Sequence, residues 1–302
     1  MSRYHDKWYT RLFSDPRIVQ ELLESFVHEK FVDDLDFSTI RKLNTKFIPP
    51  SERSRHADLV FEIKSKGQSA YIYLFFEFQS TVDRFMSLRM ARYLFEFYQE
   101  IQKLTKSDYL NPPFPILIYN GDTKWTAPEC FSELLYPSAI PKEYIPEFKY
   151  FKIAINEIPK RELVKIRNAV GAVFYIENSS AEEIEKNRKT LITLLSAVLK
   201  KDGIEIVNAL KDRILSLQNL PAESKTITSI EDISEVLSMY ETRTKKWAES
   251  VLEQGIEQGI EKRDLEITEK MIRNKMTDSD IRKITGMAPL KIRQIRRRIS
   301  KK

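Results

Sequence analysis

Asp58, Glu77 and Gln79 are the residues whose types and spacing best fit chemistry. Two predicted strands carry them, Asp58-Leu-Val-Phe-Glu-Ile63 and Tyr71-Ile-Tyr-Leu-Phe-Phe-Glu-Phe-Gln79, separated by the polar turn Lys64–Ser69. Side chains alternate along a strand, so Glu77 and Gln79 face one way while Phe76 and Phe78 face the other. A hairpin centred near Gly67 and Gln68 would set Asp58 almost opposite Glu77. Directly opposed residues are roughly 4.5–5.5 Å apart at Cβ. Two carboxylates and an amide would then meet inside an apolar sheet, where buried charge is costly unless paired or bound to metal. A divalent-cation site is the expectation. An isolated Asp at a strand start is more commonly a turn cap, whereas Glu77 between two Phe residues is harder to read as a solvent-facing group.

The elements that would position these residues can be read on either side. Asp15 and Pro16 mark a helix start, followed by Ile18, Val19, Leu22, Leu23 and Phe26 at helical spacing. The first forty-odd residues are read as helical throughout. After the hairpin, Phe85–Leu104 is an amphipathic helix, and Phe114–Tyr119 is a buried strand ended by Asn120-Gly121. Prolines at 128, 137, 141, 146 and 159 imply a loop-rich excursion with a strand near Tyr150–Ile155. Helices over 161–176, 181–199 and on to about Leu217 follow. Helix, hairpin, helix, strand is an α/β order.

At 302 residues, with 42% apolar side chains, 17 Phe and 13 Tyr, one large domain with a smaller appendage is expected. The boundary falls near the Pro- and Ser-containing segment 219–229, giving domains 1–220 and 221–302. One cysteine excludes a disulfide framework and a multi-Cys zinc site. Neither a nucleotide-cradling Gly loop nor a Gly-x-Ser-x-Gly elbow is present. No apolar run approaches the roughly 18 residues that span a bilayer, and the N-terminus lacks a signal-peptide core. A soluble, cytoplasmic protein without a membrane partner is expected.

The formal charge of +6 is local. Residues 289–302 carry seven basic groups and no acid, leaving the rest of the chain at −1. Lys291, Arg293, Arg296, Arg297 and Arg298 are the candidate DNA-binding residues, against the plainer reading of a solvated helix end. They follow Thr277-Asp-Ser-Asp280, which has capping-box spacing, and a Gly286 turn, an outline compatible with a helix-turn-helix. Upstream, a long helical pattern over Glu231–Lys275 repeats Glu-Gln-Gly-Ile at 253–256 and 257–260. Mid-helix Gly costs roughly 0.8–1.0 kcal/mol relative to Ala. Gly255 and Gly259 therefore mark either a homodimer contact or a frayed or kinked helix.

His5–Asp15, Ala57-Asp-Leu-Val60, Phe76-Glu-Phe-Gln-Ser-Thr-Val-Asp83, Met86-Ser-Leu-Arg89 and Tyr119-Asn-Gly121 together resemble the YhgA-like recombination-promoting nuclease and transposase family. The resemblance covers roughly residues 3–220. It implies the PD-(D/E)XK restriction-endonuclease-like core, a mixed sheet flanked by helices in the order α-β-β-β-α-β, here with an α-helical C-terminal extension. It further implies that Asp58 and Glu77 hold Mg²⁺ (or Mn²⁺), with Gln79 in the catalytic position where many members carry Lys. No Pro precedes Asp58, since Ala57 stands there. The amide of Gln79 can orient water or phosphate by hydrogen bonds but supplies no charge. Arg89 or Arg55 is the candidate to offset transition-state charge, and Glu21 and Glu24 compete for the role of an additional acid. Asp83 and Arg89 are expected to pair and fix the helix after the hairpin. The implied function is a Mg²⁺-dependent DNA endonuclease in recombination, transposition-like processing or defence. The alternative is a catalytically weak DNA-binding or protein-interaction module on the same fold.

Overall fold

The computed structural model describes residues 2–43, 59–78, 81–136, 140–217 and 226–299. The chain divides into two compact units, 1–236 and 237–302.

The first unit is built on five strands in spatial order β1-β2-β3-β4-β5, namely Leu35–Lys42, Leu59–Ser65, Gln68–Glu77, Pro113–Tyr119 and Phe151–Ala154. β1, β2 and β3 are antiparallel neighbours, while β3–β4 and β4–β5 are parallel. A parallel neighbour requires a crossover. Helix α3, Met86–Thr105, is the crossover between β3 and β4. Ahead of the sheet come α1 (Ser2–Leu12) and α2 (Pro16–Phe26). Behind it come α4 (Lys160–Lys165), α5 (Ala169–Glu177), α6 (Ala181–Lys186), α7 (Arg188–Lys201) and α8 (Ile204–Leu217). This is the mixed α/β architecture that the resemblance implies, a mixed sheet flanked by helices.

The two faces of the sheet are packed differently. Tyr71, Tyr73 and Phe75 of β3 join Leu117 and Tyr119 of β4 against Met86, Met90, Tyr93, Leu94, Phe97 and Ile101 of α3. Phe76 points the other way, with its ring 5.6 Å from that of Tyr9 and 5.3 Å from that of Phe13. The alternation read in β3 therefore holds, and it delivers Glu77 to the α3 face.

Three expectations are corrected. Residues 35–42 form an edge strand rather than the end of a helical run. Only Thr39 and Ile40 of Leu35–Ile40 are β-branched, and a register shift between the Asp36–Lys64 and Arg41–Glu62 pairs interrupts its ladder with β2. Its Arg41 and Lys42 suit an edge, where charge discourages further pairing. Second, the hairpin turns at Lys66 and Gly67, both at positive φ, and Ser65 pairs with Gln68. The ladder then reads Leu59 opposite Leu74, two residues offset from the predicted pairing of Asp58 with Glu77. The even offset preserves which residues share a face. Third, the helices expected over 161–176 and 181–199 are each two, α4 and α5, then α6 and α7. Asn168 caps α5 by accepting from the Gly171 amide at 2.9 Å. A Cβ on Gly171 would collide with the Ile166 carbonyl oxygen, so only glycine lets the chain fold back this tightly.

The second unit holds the later part of α9 (Ile230–Arg273), then α10 (Asp278–Thr285) and α11 (Pro289–Ile299). Thr277 caps α10, Gly286 ends it at φ +68, and Ile272, Ile281, Ile292 and Ile295 form its small core. Among the described residues no helix is long and apolar enough to cross a membrane.

Candidate active site

Glu77, the last residue of β3, is 2% exposed. Burying a carboxylate in an aromatic sheet demands a counter-charge, and α3 supplies it one turn after its start. The Arg89 Nη2 lies 2.6 Å from Glu77 Oε2, and its Nη1 lies 3.0 Å from Asp83 Oδ2. Asp83 in turn accepts from the Phe85 amide at the helix entrance. Two carboxylates thus converge on one guanidinium. The expected Asp83–Arg89 pair is present, and Arg89 has the second partner that the sequence did not assign. Asp58, Gln79 and Arg55 lie outside the described residues, as do the side chains of His5 and Asp6. Among the described residues no cluster of three or more His, Cys, Asp and Glu could hold a metal.

Next to Glu77 the C-terminal edge of the sheet is pinned by polar groups that sequence reading missed. The Asn120 amide donates to the Glu77 carbonyl at 2.9 Å, continuing the β3–β4 ladder. Its side-chain amide donates to Glu177 Oε2 at 2.7 Å and to the Tyr9 hydroxyl at 3.3 Å. Glu177 ends α5 and pairs with Arg213 of α8 at 2.5 and 2.9 Å, both side chains 2% exposed. Burial pushes the Tyr9 hydroxyl well above its ordinary pKa. The Glu177 charge adds to that rise, while Arg213 and the Asn120 amide oppose it. The signal available in sequence was Asn120-Gly121 closing an apolar strand, which reads most simply as a turn; its partners are 57 and more residues away. The Gly121 position itself is crowded by the Tyr119 ring.

Glu21 and Glu24 are separated from this centre. Glu21 is buried, accepts from the Ala169 amide at the start of α5 at 2.9 Å and pairs with Lys201 at 2.6 Å. Glu24 accepts from Gln20 on its own helix. Neither acid has its partners on β3 or α3.

Beside Glu21, burial foremost, then the hydrogen bond and charge of Glu21, push the Asp202 carboxyl up to about 7, with Lys201 opposing. Its Oδ2 is buried without a hydrogen-bond partner. An acid whose folded pKa exceeds its unfolded value holds an extra proton when folded. Its stabilising contribution is present below about pH 4 and lost as pH rises to about 7. Asp202→Asn should therefore melt with the wild type at pH 4 and above it at pH 8. The full rise would correspond to about 4 kcal/mol, and solvent screening of this half-buried group reduces that to about 1 kcal/mol. A difference in melting temperature that does not change with pH would refute the assignment.

In the second unit, the basic residues of α11 are partly engaged. Arg296 donates to Asp278 at 2.7 Å and to the Met276 carbonyl at 2.7 Å. Arg298 pairs with Glu269, and Arg293 lies 4.0 Å from Asp278. Lys291, Arg293, Arg297 and Arg298 are exposed on the helix surface, whereas Arg296 is half-buried.

Residues 3–220 match the family described as "Putative transposase, YhgA-like". The chain is 24% identical to recombination-promoting nuclease RpnD of Escherichia coli O157:H7, over 54% of this chain and 63% of that protein. It is 20% identical to recombination-promoting nuclease RpnA of Escherichia coli strain K12, over 94% of both chains. Inactive recombination-promoting nuclease-like protein RpnE of the same strain is 26% identical, over 39% of this chain and 40% of that protein. The chain thus spans only about 40 to 63% of several of the curated relatives it matches. No solved structure matches. With its family match covering the sheet, α3 and the helices behind them, the chain belongs to the YhgA-like transposase family.

Proposed function

We propose that this protein is a Mg²⁺-dependent DNA endonuclease that hydrolyses phosphodiester bonds in recombination-like DNA processing. The observation carrying the reading is Glu77, a buried carboxylate at the C-terminal end of the central strand that shares one cationic group with Asp83. That cationic group bears on metal fit. The guanidinium stands where two acids need positive charge, and hard carboxylate oxygens are the donors that Mg²⁺ prefers. The names of the recombination-promoting nucleases support the same class of chemistry.

In this reading Asp58 and Glu77 hold the ion, which when bound polarises a phosphoryl oxygen and lowers the pKa of water. It requires Asp58 on the same side of the sheet as Glu77. Gln79 positions the attacking water by hydrogen bonding. Arg89, anchored by Asp83, keeps Glu77 oriented and turns its remaining N–H groups toward a non-bridging phosphate oxygen. Lys291, Arg293, Arg297 and Arg298 contribute phosphate contacts on α11, with Arg296 holding that helix to Asp278. The long helix α9 contributes a homodimer contact. A Cβ at Gly259 would meet nothing within 4 Å, so among the described residues the glycine serves no close approach.

A second reading, a catalytically weak module on the nuclease fold, is favoured by Gln79 in place of Lys and by the relative named inactive. Plasmid nicking separates the two. The endonuclease is expected to convert supercoiled plasmid in Mg²⁺ or Mn²⁺, to stop in EDTA, and to lose at least about 100-fold activity in Glu77→Ala or Asp58→Ala. Equal nicking by wild type and Asp58→Ala would remove the metal-site assignment. No nicking by wild type with either ion would leave the second reading.

A further inference from the structure

Helix α3 is apolar on two sides. Its inner side fills the core. An outer side facing solvent is ordinarily polar, yet Phe85 is 55% exposed, Leu88 49% and Phe95 62%. Arg92 stands among them with its side chain 51% exposed. Positions 88, 92 and 95 are three and four apart and so lie along one stripe of the helix, with Phe85 at its entrance. The stripe starts at the turn that carries Arg89, the residue gripping Glu77.

Arg84 is exposed just before the helix. Further along, Glu96 lies 3.9 Å from Arg92 and Glu100 is 2.7 Å from Lys103, so each acid sits against a cation. Flat rings interleaved with guanidinium groups can take a nucleic-acid strand by two routes at once. Each base offers a π face to an aromatic ring, and each phosphate attracts a cation. In a duplex those base faces are stacked inside and out of reach.

We propose that the outer face of α3 is a single-stranded DNA track, on which unpaired bases stack against Phe85 and Phe95 while the strand's backbone passes toward Glu77. The inference rests on the nuclease reading and deepens it, making a strand with unpaired bases the preferred substrate.

The test uses the full chain in EDTA, so that binding is read without cleavage. The probe is a short single-stranded oligonucleotide carrying 2-aminopurine, compared with a duplex of the same sequence by anisotropy and by base fluorescence. Phe85→Ala and Phe95→Ala are expected to weaken single-strand binding about 5- to 100-fold each, to relieve 2-aminopurine quenching, and to leave duplex binding unchanged. Phe95→Leu keeps the apolar volume without a flat ring and is expected to behave like Phe95→Ala. Because these rings are exposed, melting temperatures should stay at the wild-type value.

Unchanged single-strand binding in the ring variants, or equal losses for duplex and single strand, would overturn the track. Sedimentation showing that Phe95→Ala dissociates a dimer while binding single strands normally would assign the stripe to self-association instead. Glu77→Gln distinguishes the two levels of the argument. If neither it nor the wild type nicks DNA while the ring variants still lose single strands, the nuclease reading fails and the track stands. If nicking depends on Glu77 but the rings do not matter, only the track fails.

Discussion

Arg213→Ala is expected to destabilise the first unit by about 3–5 kcal/mol, the cost of leaving one member of a buried ion pair without its partner. At roughly 2–4 °C per kcal/mol for a unit of this size, the melting temperature should fall by about 10 °C. The expectation follows from geometry. The side chains of Arg213 and Glu177 are each 2% exposed, two hydrogen bonds join them, and Glu177 also receives the Asn120 side-chain amide. Removing the guanidinium strands a carboxylate beside Tyr9, whose own ionisation burial already opposes. The double replacement Arg213→Met with Glu177→Leu should cost much less, since well-packed apolar pairs often equal buried ion pairs in stability. Thermal melts of the three variants check this; a double mutant as unstable as the sum of both singles would mean the two side chains act separately. Because Asn120 continues the ladder beside Glu77, loosening this network should also lower nicking activity below the melting temperature.

The second large effect is expected at Arg89. Arg89→Ala removes the cation 2.6 Å from a carboxylate that is 2% exposed, and its melting temperature in EDTA should fall by several degrees. If Glu77 belongs to a hard-cation site, Mg²⁺ should restore the loss by supplying the missing charge. A ligand at 100 times its dissociation constant stabilises by about 2.7 kcal/mol. The wild type, whose guanidinium already neutralises Glu77, should respond less to Mg²⁺ than the variant does. Arg89→Lys should fall between them, since one ammonium cannot bridge two carboxylates as a planar fork does. A variant whose melting is indifferent to Mg²⁺ and Mn²⁺ would argue that Glu77 takes no metal. This test does not depend on catalysis, so it bears on the site even if nicking is never observed.

The sequence by itself determined the elements with strong periodicity. The alternation of Tyr71–Phe78 placed Glu77 and Phe76 on opposite faces, and the helical spacing from Phe85 onward gave α3 almost to the residue. Asp15 and Thr277 announced helix starts, because capping needs specific side chains at specific offsets. Weaker local signals misled. An edge strand with one irregular pairing has partners on one side only, so β1 lacked the pattern that a doubly flanked strand imposes. The hairpin register turned on which two residues adopt positive φ, and these are Lys66 and Gly67 rather than the expected centre near Gly67 and Gln68.

Only the tertiary structure decided which polar groups would meet. Arg89 could be assigned to Asp83 from six residues of local sequence, but its contact with Glu77 depends on how α3 crosses the sheet. Glu21 could not be aimed from periodicity alone; packing of α2 on α5 turned it to the Ala169 amide and Lys201. Tyr9, Asn120, Glu177 and Arg213 come from four distant segments. Each reads locally as an ordinary turn or helix-surface residue. Their convergence is set by the burial of apolar neighbours, and local propensity carries no record of that long-range choice.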